Sequence, residues 1–224
     1  MEIVRKKLKA TGTRMDYYDP ASLKETAFPR IPVLICPGGG YSIVGTSEAF
    51  PVSERFAKHG FFPFILRYTV SEGDLPFDSN NPVEFAPIQD VANALRRMQE
   101  IFPDHPPILC GFSAGAHLSL SYTALRTPEM PQVSAVILSY PYLHYPVFEN
   151  SGFDILEQID RNFPPCFVWH GENDFMVPPD GTFEIVCKLR ENDVPVEFHF
   201  FKDIRHADPF YEPAWFELMQ RWIG

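Results

Sequence analysis

Six short β-rich apolar runs recur along the chain, and most lead into a stretch of helical period. They are IPVLIC (31–36), FFPFILRY (61–68), PPILCGF (106–112), VSAVILSY (133–140), PCFVWHG (165–171) and VPVEFHFF (194–201). Between them, residues 47–59 read as a helix with Ser47 as N-cap and Gly60 past its end. In 87–101, Ile88, Val91, Ala92, Leu95, Met98 and Ile101 share one helical face, and Pro87 suits the first turn. SAGAHLSLSYTALR, 179–191 and 210–222 complete the helices. Alternation of this kind requires right-handed crossovers, so the expected class is α/β: a mostly parallel central sheet with helices on both faces. The segments EIVRKKLKA and TRMDYYD around Thr11-Gly12 fit an added antiparallel edge hairpin.

With 224 residues, 45% of them hydrophobic, the chain can bury one sizeable core but not two large ones. Residues 1–224 are therefore read as a single domain, without repeat or linker. The 23 prolines imply sharply punctuated loops. Residues 71–86 and 141–165 are the two candidates for a lid or rim, and both are short, so a minimal cap or none is expected. A net charge of −10 opposes binding to nucleic acid or anionic membranes. The basic run Arg5, Lys6, Lys7, Lys9 sits among apolar residues and reads as a solvated strand. Cys36, Cys110, Cys166 and Cys187 form no CxxC pair and no zinc spacing, and read mainly as small buried hydrophobes. Reduced thiols, the lack of a signal peptide and the lack of a bilayer-length apolar run point to the cytoplasm.

Chemistry concentrates in three places. Gly111-Phe112-Ser113-Ala114-Gly115 fits G-x-S-x-G between a buried strand and a helix. A nucleophile at such a turn needs a strained backbone, and the glycines on either side let strand and helix pass closely. The bland alternative is a tight turn with an incidental serine. Second, Pro37-Gly38-Gly39-Gly40-Tyr41 follows an earlier strand and can point backbone N–H groups into a pocket. Gly39 and Gly40, with Ala114, would then bind a tetrahedral oxyanion. A phosphate cradle is less well supported, since neither a dinucleotide fingerprint nor a P-loop lysine is present, and a plain glycine loop remains open.

Third, an acid and a base follow Ser113 in chain order. Asp174 lies just past one strand and His206 just past the last, where open α/β sheets collect ligands. Glu172 and Asp180 compete with Asp174 as the acid. Among the histidines, His59 suits a helix C-terminus, His105 sits in a Pro-rich loop, and His117, His170 and His199 read as structural. His206 alone follows the last strand in a loop. Tyr41, Tyr142 and His144 are candidates for lining the leaving-group side.

Together, Pro37–Tyr41, Gly111–His117, His170–Pro178 and His206 resemble the α/β-hydrolase esterase and lipase superfamily, and within it small bacterial acetyl esterases of the acetylxylan-esterase type. The resemblance spans roughly residues 30 to 210. It implies the α/β-hydrolase fold, a triad of Ser113, Asp174 and His206, and oxyanion donors from Gly39, Gly40 and Ala114. It also implies short-chain, acetyl-like ester substrates, with acetylated sugars as one class. Where hormone-sensitive-lipase-like relatives begin this turn with His, the chain has Pro37, so a hydrogen bond that orders the turn there is missing. Neither a metal nor an organic cofactor is called for, and oligomer base rates favour a homodimer. An amide hydrolase using the same triad, such as a formamidase or small peptidase, is the rival enzyme reading. A non-catalytic binder of the same fold is a third.

Overall fold

The computed structural model describes residues 3–8, 13–18, 31–71, 84–144, 152–207 and 214–224. Its strands are β1 (Ile3–Lys7), β2 (Arg14–Tyr18), β3 (Ile31–Cys36), β4 (Phe61–Arg67), β5 (Ile108–Phe112), β6 (Ala135–Ser139), β7 (Cys166–Gly171) and β8 (Val196–Phe201). The helices are α1 (Phe50–Lys58), α2 (Ala86–Ile101), α3 (Ala114–Leu125), α4 (Asp180–Glu191) and α5 (Ala214–Ile223). One sheet runs in the order β1-β2-β4-β3-β5-β6-β7-β8. From β4 to β8 every pairing is parallel, while β2 runs antiparallel to both β1 and β4.

The mostly parallel sheet is as the alternation requires, and the first strands pair as the expected edge hairpin, Ile3 opposite Tyr18. The turn at Thr11-Gly12 lies outside the described residues, as do 72–83 and 145–151 of the two candidate rims. Along β3 the side chains alternate between two cores. Leu34 and Cys36 join Leu95 of α2, Leu118 of α3 and Leu189 of α4 on one face. Val33 and Ile35 join Phe56 of α1 and Trp215 of α5 on the other. Covered on both sides, β3, β5, β6 and β7 are almost wholly buried, which is why their sequences are continuous apolar runs rather than alternating ones. The edge strand β8 is only partly buried.

The start of the first helix differs most in its consequence from expectation. Helix α1 begins at Phe50, and Ser47 does not cap it. Residues 46–49 form a turn instead, closed by Ala49 N–H on the Thr46 carbonyl, and Pro51 supplies the fixed φ of the first helical turn. The turn carries Glu48 inward, where it is buried. Cys36, Cys110 and Cys166 are buried, and Cys187 is exposed. Among the described residues, no helix is long and apolar enough to cross a membrane.

Candidate active site

Strand β5 ends at Phe112 and α3 starts at Ala114, leaving Ser113 alone at the corner with φ 52° and ψ −118°. That left-handed backbone is uncommon for a side chain beyond glycine and is held from outside. The Ser113 N–H bonds the Ser139 carbonyl at 3.0 Å, tying the corner to β6. The flanking glycines are sterically demanded. A Cβ on Gly111 would lie 2.2 Å from the Gly115 carbonyl oxygen, and one on Gly115 would lie 2.0 Å from that of Cys36. The second contact also sets α3 against the end of β3, so the glycine turn lands beside Ser113. A Cβ on Gly38 would sit 3.0 Å from Ser113 Cβ.

The structure brings Ser113, His206 and Asp174 into one line. Ser113 Oγ is 3.0 Å from His206 Nε2, and His206 Nδ1 is 2.6 Å from Asp174 Oδ2. A carboxylate can only accept, so Nδ1 carries the imidazole proton and Nε2 is free to accept from the serine hydroxyl. Asp174 Oδ1 accepts the N–H groups of Met176 at 3.1 Å and Val177 at 2.8 Å, and its Oδ2 also lies 3.2 Å from His170 Nε2. Burial pushes the Asp174 carboxyl up, but the hydrogen bonds from His170, His206 and Val177 outweigh it and hold the group well below the usual carboxylate range.

The loops carrying the acid and the base are locked to each other. A Cβ on Gly171 would fall 2.4 Å from the Ile204 carbonyl oxygen, and Asn173 N–H bonds that same oxygen at 2.9 Å. Of the rival carboxylates, Glu172 Oε2 accepts from Asp203 N–H at 3.3 Å, and Asp180 sits in the first turn of α4. Asp174 is thus the carboxylate on His206. His170 is buried between Thr182 Oγ1 at 2.7 Å and the Val177 carbonyl at 2.9 Å.

On the other side of Ser113, the glycine turn has φ 129° at Gly39 and 60° at both Gly40 and Tyr41. Gly38 N–H is taken by Glu48 Oε2 at 2.9 Å. The N–H groups of Gly39, Gly40 and Ala114 have no partner among the described residues. Ala114 is the first residue of α3, where amides lack intrahelical acceptors and the helix dipole favours negative charge. Without the histidine of some relatives, the turn is ordered by Tyr68, whose hydroxyl donates to the Pro37 carbonyl at 2.7 Å.

Tyr41 requires a correction. It lines no leaving-group side, because it is fully buried. Its left-handed φ turns the ring inward against Tyr68, Phe85 and His117, and its hydroxyl meets His117 Nδ1 at 2.7 Å. Burial lowers the His117 pKa to about 3, so this imidazole is neutral. Tyr142 is partly buried against the core. His144 lies at a cavity of about 300 Å³ beside Glu184 and Phe153, whose lining includes none of Ser113, Asp174 and His206. Two residues at the site went unnoticed in the sequence, Glu48 and Tyr140. Tyr140, with φ 41°, directly follows β6, and its ring lies 4.9 Å from that of His206. Its place just past the carboxyl end of a parallel strand was the available signal, the same one that marked Asp174 and His206.

The fold that carries Ser113 after β5, Asp174 after β7 and His206 after β8 is similar to that of known proteins. An α/β-hydrolase enzyme from a Medee basin deep-sea metagenome library superposes with a TM-score of 0.76 at 28% identity, over 99% of this chain and 96% of that one. The chain has the α/β-hydrolase fold. Also similar in fold is a carboxylesterase from Lactobacillus plantarum, with a TM-score of 0.83 and 23% identity over 100% of this chain and 97% of that one. An acetyl ester-xyloside bifunctional hydrolase from Caldicellulosiruptor lactoaceticus has a TM-score of 0.74 and 23% identity, over 96% and 88%. Among curated proteins, endo-1,4-beta-xylanase B of Butyrivibrio fibrisolvens is 27% identical over 201 residues, 75% of this chain. The chain spans 31% of that xylanase's length. The model of the prolyl oligopeptidase family matches residues 139–224, the part that carries Asp174 and His206.

Proposed function

We propose that this α/β-hydrolase is a serine carboxylic-ester hydrolase acting on short acyl esters, with acetyl esters of carbohydrates as the substrate class. The observation that carries the reading is the unbroken line from Ser113 Oγ through His206 to Asp174, with open N–H groups on Ala114, Gly39 and Gly40 beside it. As Ser113 Oγ bonds to the ester carbonyl carbon, His206 Nε2 takes the serine proton, and Asp174 stabilises the resulting imidazolium. The carbonyl oxygen, now negative, is received by Ala114 N–H and a glycine-turn N–H, each worth about 3–4 kcal/mol in comparable sites. The carbon–oxygen bond to the alcohol breaks, the alcohol leaves with the His206 proton, and water repeats the sequence on the acyl-enzyme. Acetyl esters of sugars are favoured by the names of the xyloside hydrolase and xylanase relatives. The reduced, free cysteines suit a cytoplasmic enzyme.

The prolyl oligopeptidase match favours one second reading, amide hydrolysis by the same residues. Hydrolysis of p-nitrophenyl esters from acetyl to octanoyl, beside the matching p-nitroanilides, separates the two. The ester reading expects fast acetyl turnover that falls with chain length, with anilides slow. Ser113→Ala should lower kcat by about 10⁶-fold, as expected when a nucleophile that acts as a unit with its base is lost. Ester turnover that survives the substitution would remove Ser113 from the mechanism.

A further inference from the structure

Glu48 is a buried side chain whose two oxygens reach in opposite directions. Oε2 accepts Gly38 N–H at 2.9 Å, and Oε1 accepts the Tyr140 hydroxyl at 2.9 Å. Among the described residues it has no cationic partner. Burying a carboxyl group on neutral donors alone is costly.

Tyr140 is fully buried in a left-handed backbone, φ 41°, pinned by its N–H on the Trp169 carbonyl at 2.8 Å. That conformation is strained for an aromatic residue. It aims the ring edge-on to Trp169 at 5.0 Å and places it 4.9 Å from the His206 ring, so the phenol backs the imidazole. At the far end of the same phenol, the hydroxyl holds Glu48, and Glu48 holds the glycine turn. By occupying Gly38 N–H, Glu48 also decides which amides of the turn stay open, those of Gly39 and Gly40. The turn closes around the carboxylate, since a Cβ on Gly45 would come within 2.7 Å of Oε2.

We infer that Tyr140 and Glu48 are positioning residues that set the imidazole of His206 and the oxyanion-binding turn in register with Ser113 through one hydrogen-bonded chain. The inference rests on the esterase reading of the site. Neither residue touches the reacting atoms. Their contribution is geometric, and small displacements of reacting groups cost rate rather than binding.

The test compares wild type, Tyr140→Phe, Glu48→Gln and Glu48→Ala, with Ser113→Ala as blank and Tyr122→Phe as a control. Tyr122 loses an equally buried hydroxyl bond, to the Pro131 carbonyl, away from the site. The readouts are kcat and KM for p-nitrophenyl acetate, the rate of Ser113 phosphorylation by diethyl p-nitrophenyl phosphate, which releases p-nitrophenolate and whose phosphoryl oxygen needs the same donors, and Tm. Tyr140→Phe should lower kcat about tenfold, with KM held within about twofold. Glu48→Ala should lower kcat about 100-fold, and Glu48→Gln, which keeps an acceptor for Gly38 N–H, should recover most of it. Phosphorylation should slow in parallel, while Tyr122→Phe loses Tm alone. Should Glu48→Ala fail to fold, the isosteric Tyr140→Phe decides. If Tyr140→Phe and the folded Glu48 variants keep wild-type kcat and phosphorylation rate and lose only Tm, the chain is a structural staple and the inference is overturned. Wild type without Ser113-dependent turnover would instead overturn the esterase reading itself, and this inference with it.

Discussion

The two sides of Ser113 are held by opposite strategies. The glycine turn is fastened from several distant elements: Tyr68 after β4 on the Pro37 carbonyl, Glu48 on Gly38, His117 of α3 on Tyr41, and Ser71 N–H on the Tyr41 carbonyl at 2.9 Å. On the other side, the hydrogen bonds converge on one residue. Asp174 alone receives His206, His170 and the N–H groups of Met176 and Val177. A distributed restraint should respond to single losses by degrees, and a concentrated one should fail at once. This division also matches the two tasks: the turn must present amides to a charge that develops during reaction, whereas the imidazole needs one fixed tautomer.

Asp174→Asn probes the concentrated side most sharply. The amide cannot accept from Nδ1 with the same strength and favours the wrong tautomer, so kcat for p-nitrophenyl acetate should fall by about 10⁴-fold with the fold retained by circular dichroism. A loss below tenfold would show that Tyr140 and other groups, rather than Asp174, carry the orientation of His206. On the distributed side, two adjacent glycines give an internal comparison. A Cβ on Gly39 would stand 2.2 Å from the Ile43 carbonyl oxygen at φ 129°, so Gly39→Ala must move the turn, and kcat should drop about 100-fold. A Cβ on Gly40 meets nothing within 4 Å, leaving only the strain of φ 60°, so Gly40→Ala should cost about 1 kcal/mol of stability and little rate. Equal effects at the two positions would mean the turn is softer than its contacts imply.

What the sequence disclosed follows a physical line. Five of the six runs were legible because strands buried on both faces must be apolar throughout, and Gly111 and Gly115 were legible because only a missing Cβ permits the 2.0–2.2 Å approaches. Asp174 and His206 were found by chain order and by position past strand ends. Glu48 and Tyr140 were not, because the pair is 92 residues apart and no local period links them. Glu48 was read as helix for the same reason that Ser47 was read as its cap: nothing in SEAFPV announces that the carboxylate is needed elsewhere. Tyr41 misled because its neighbours Gly39 and Gly40 suggested an exposed loop, and the sign of φ that turns the ring inward is invisible for a tyrosine.

Acid provides a comparison of the two sides in one titration. The native state keeps His117 neutral down to about pH 3, whereas the unfolded chain protonates it near its ordinary value of 6.5. The unfolded state therefore binds more protons between these limits, and stability falls as pH drops from 6.5. Asp174 acts later. Its folded carboxyl resists protonation, so its contribution is present above about pH 4 and lost as pH falls further. Urea unfolding from pH 7.5 to 3.5 should show a decline beginning near pH 6.5, and His117→Gln should flatten that upper part alone. An unchanged slope in the variant would place the proton uptake elsewhere.

The smallest effect expected is the strictest test of a distributed restraint. Tyr68→Phe removes one of the four ties on the glycine turn and leaves the Pro37 carbonyl without that donor, while the ring still packs edge-on against Tyr41. The cost should be about 1 kcal/mol of stability, the ordinary worth of one buried hydrogen bond. Because Glu48, His117 and Ser71 still hold the turn, kcat for p-nitrophenyl acetate should change by no more than about threefold, a fraction of that bond's energy. If Tyr68→Phe instead lowers kcat as deeply as Asp174→Asn, then Pro37 is the hinge on which the turn depends. The missing histidine of related enzymes would then have been replaced one-for-one by Tyr68 rather than by a network.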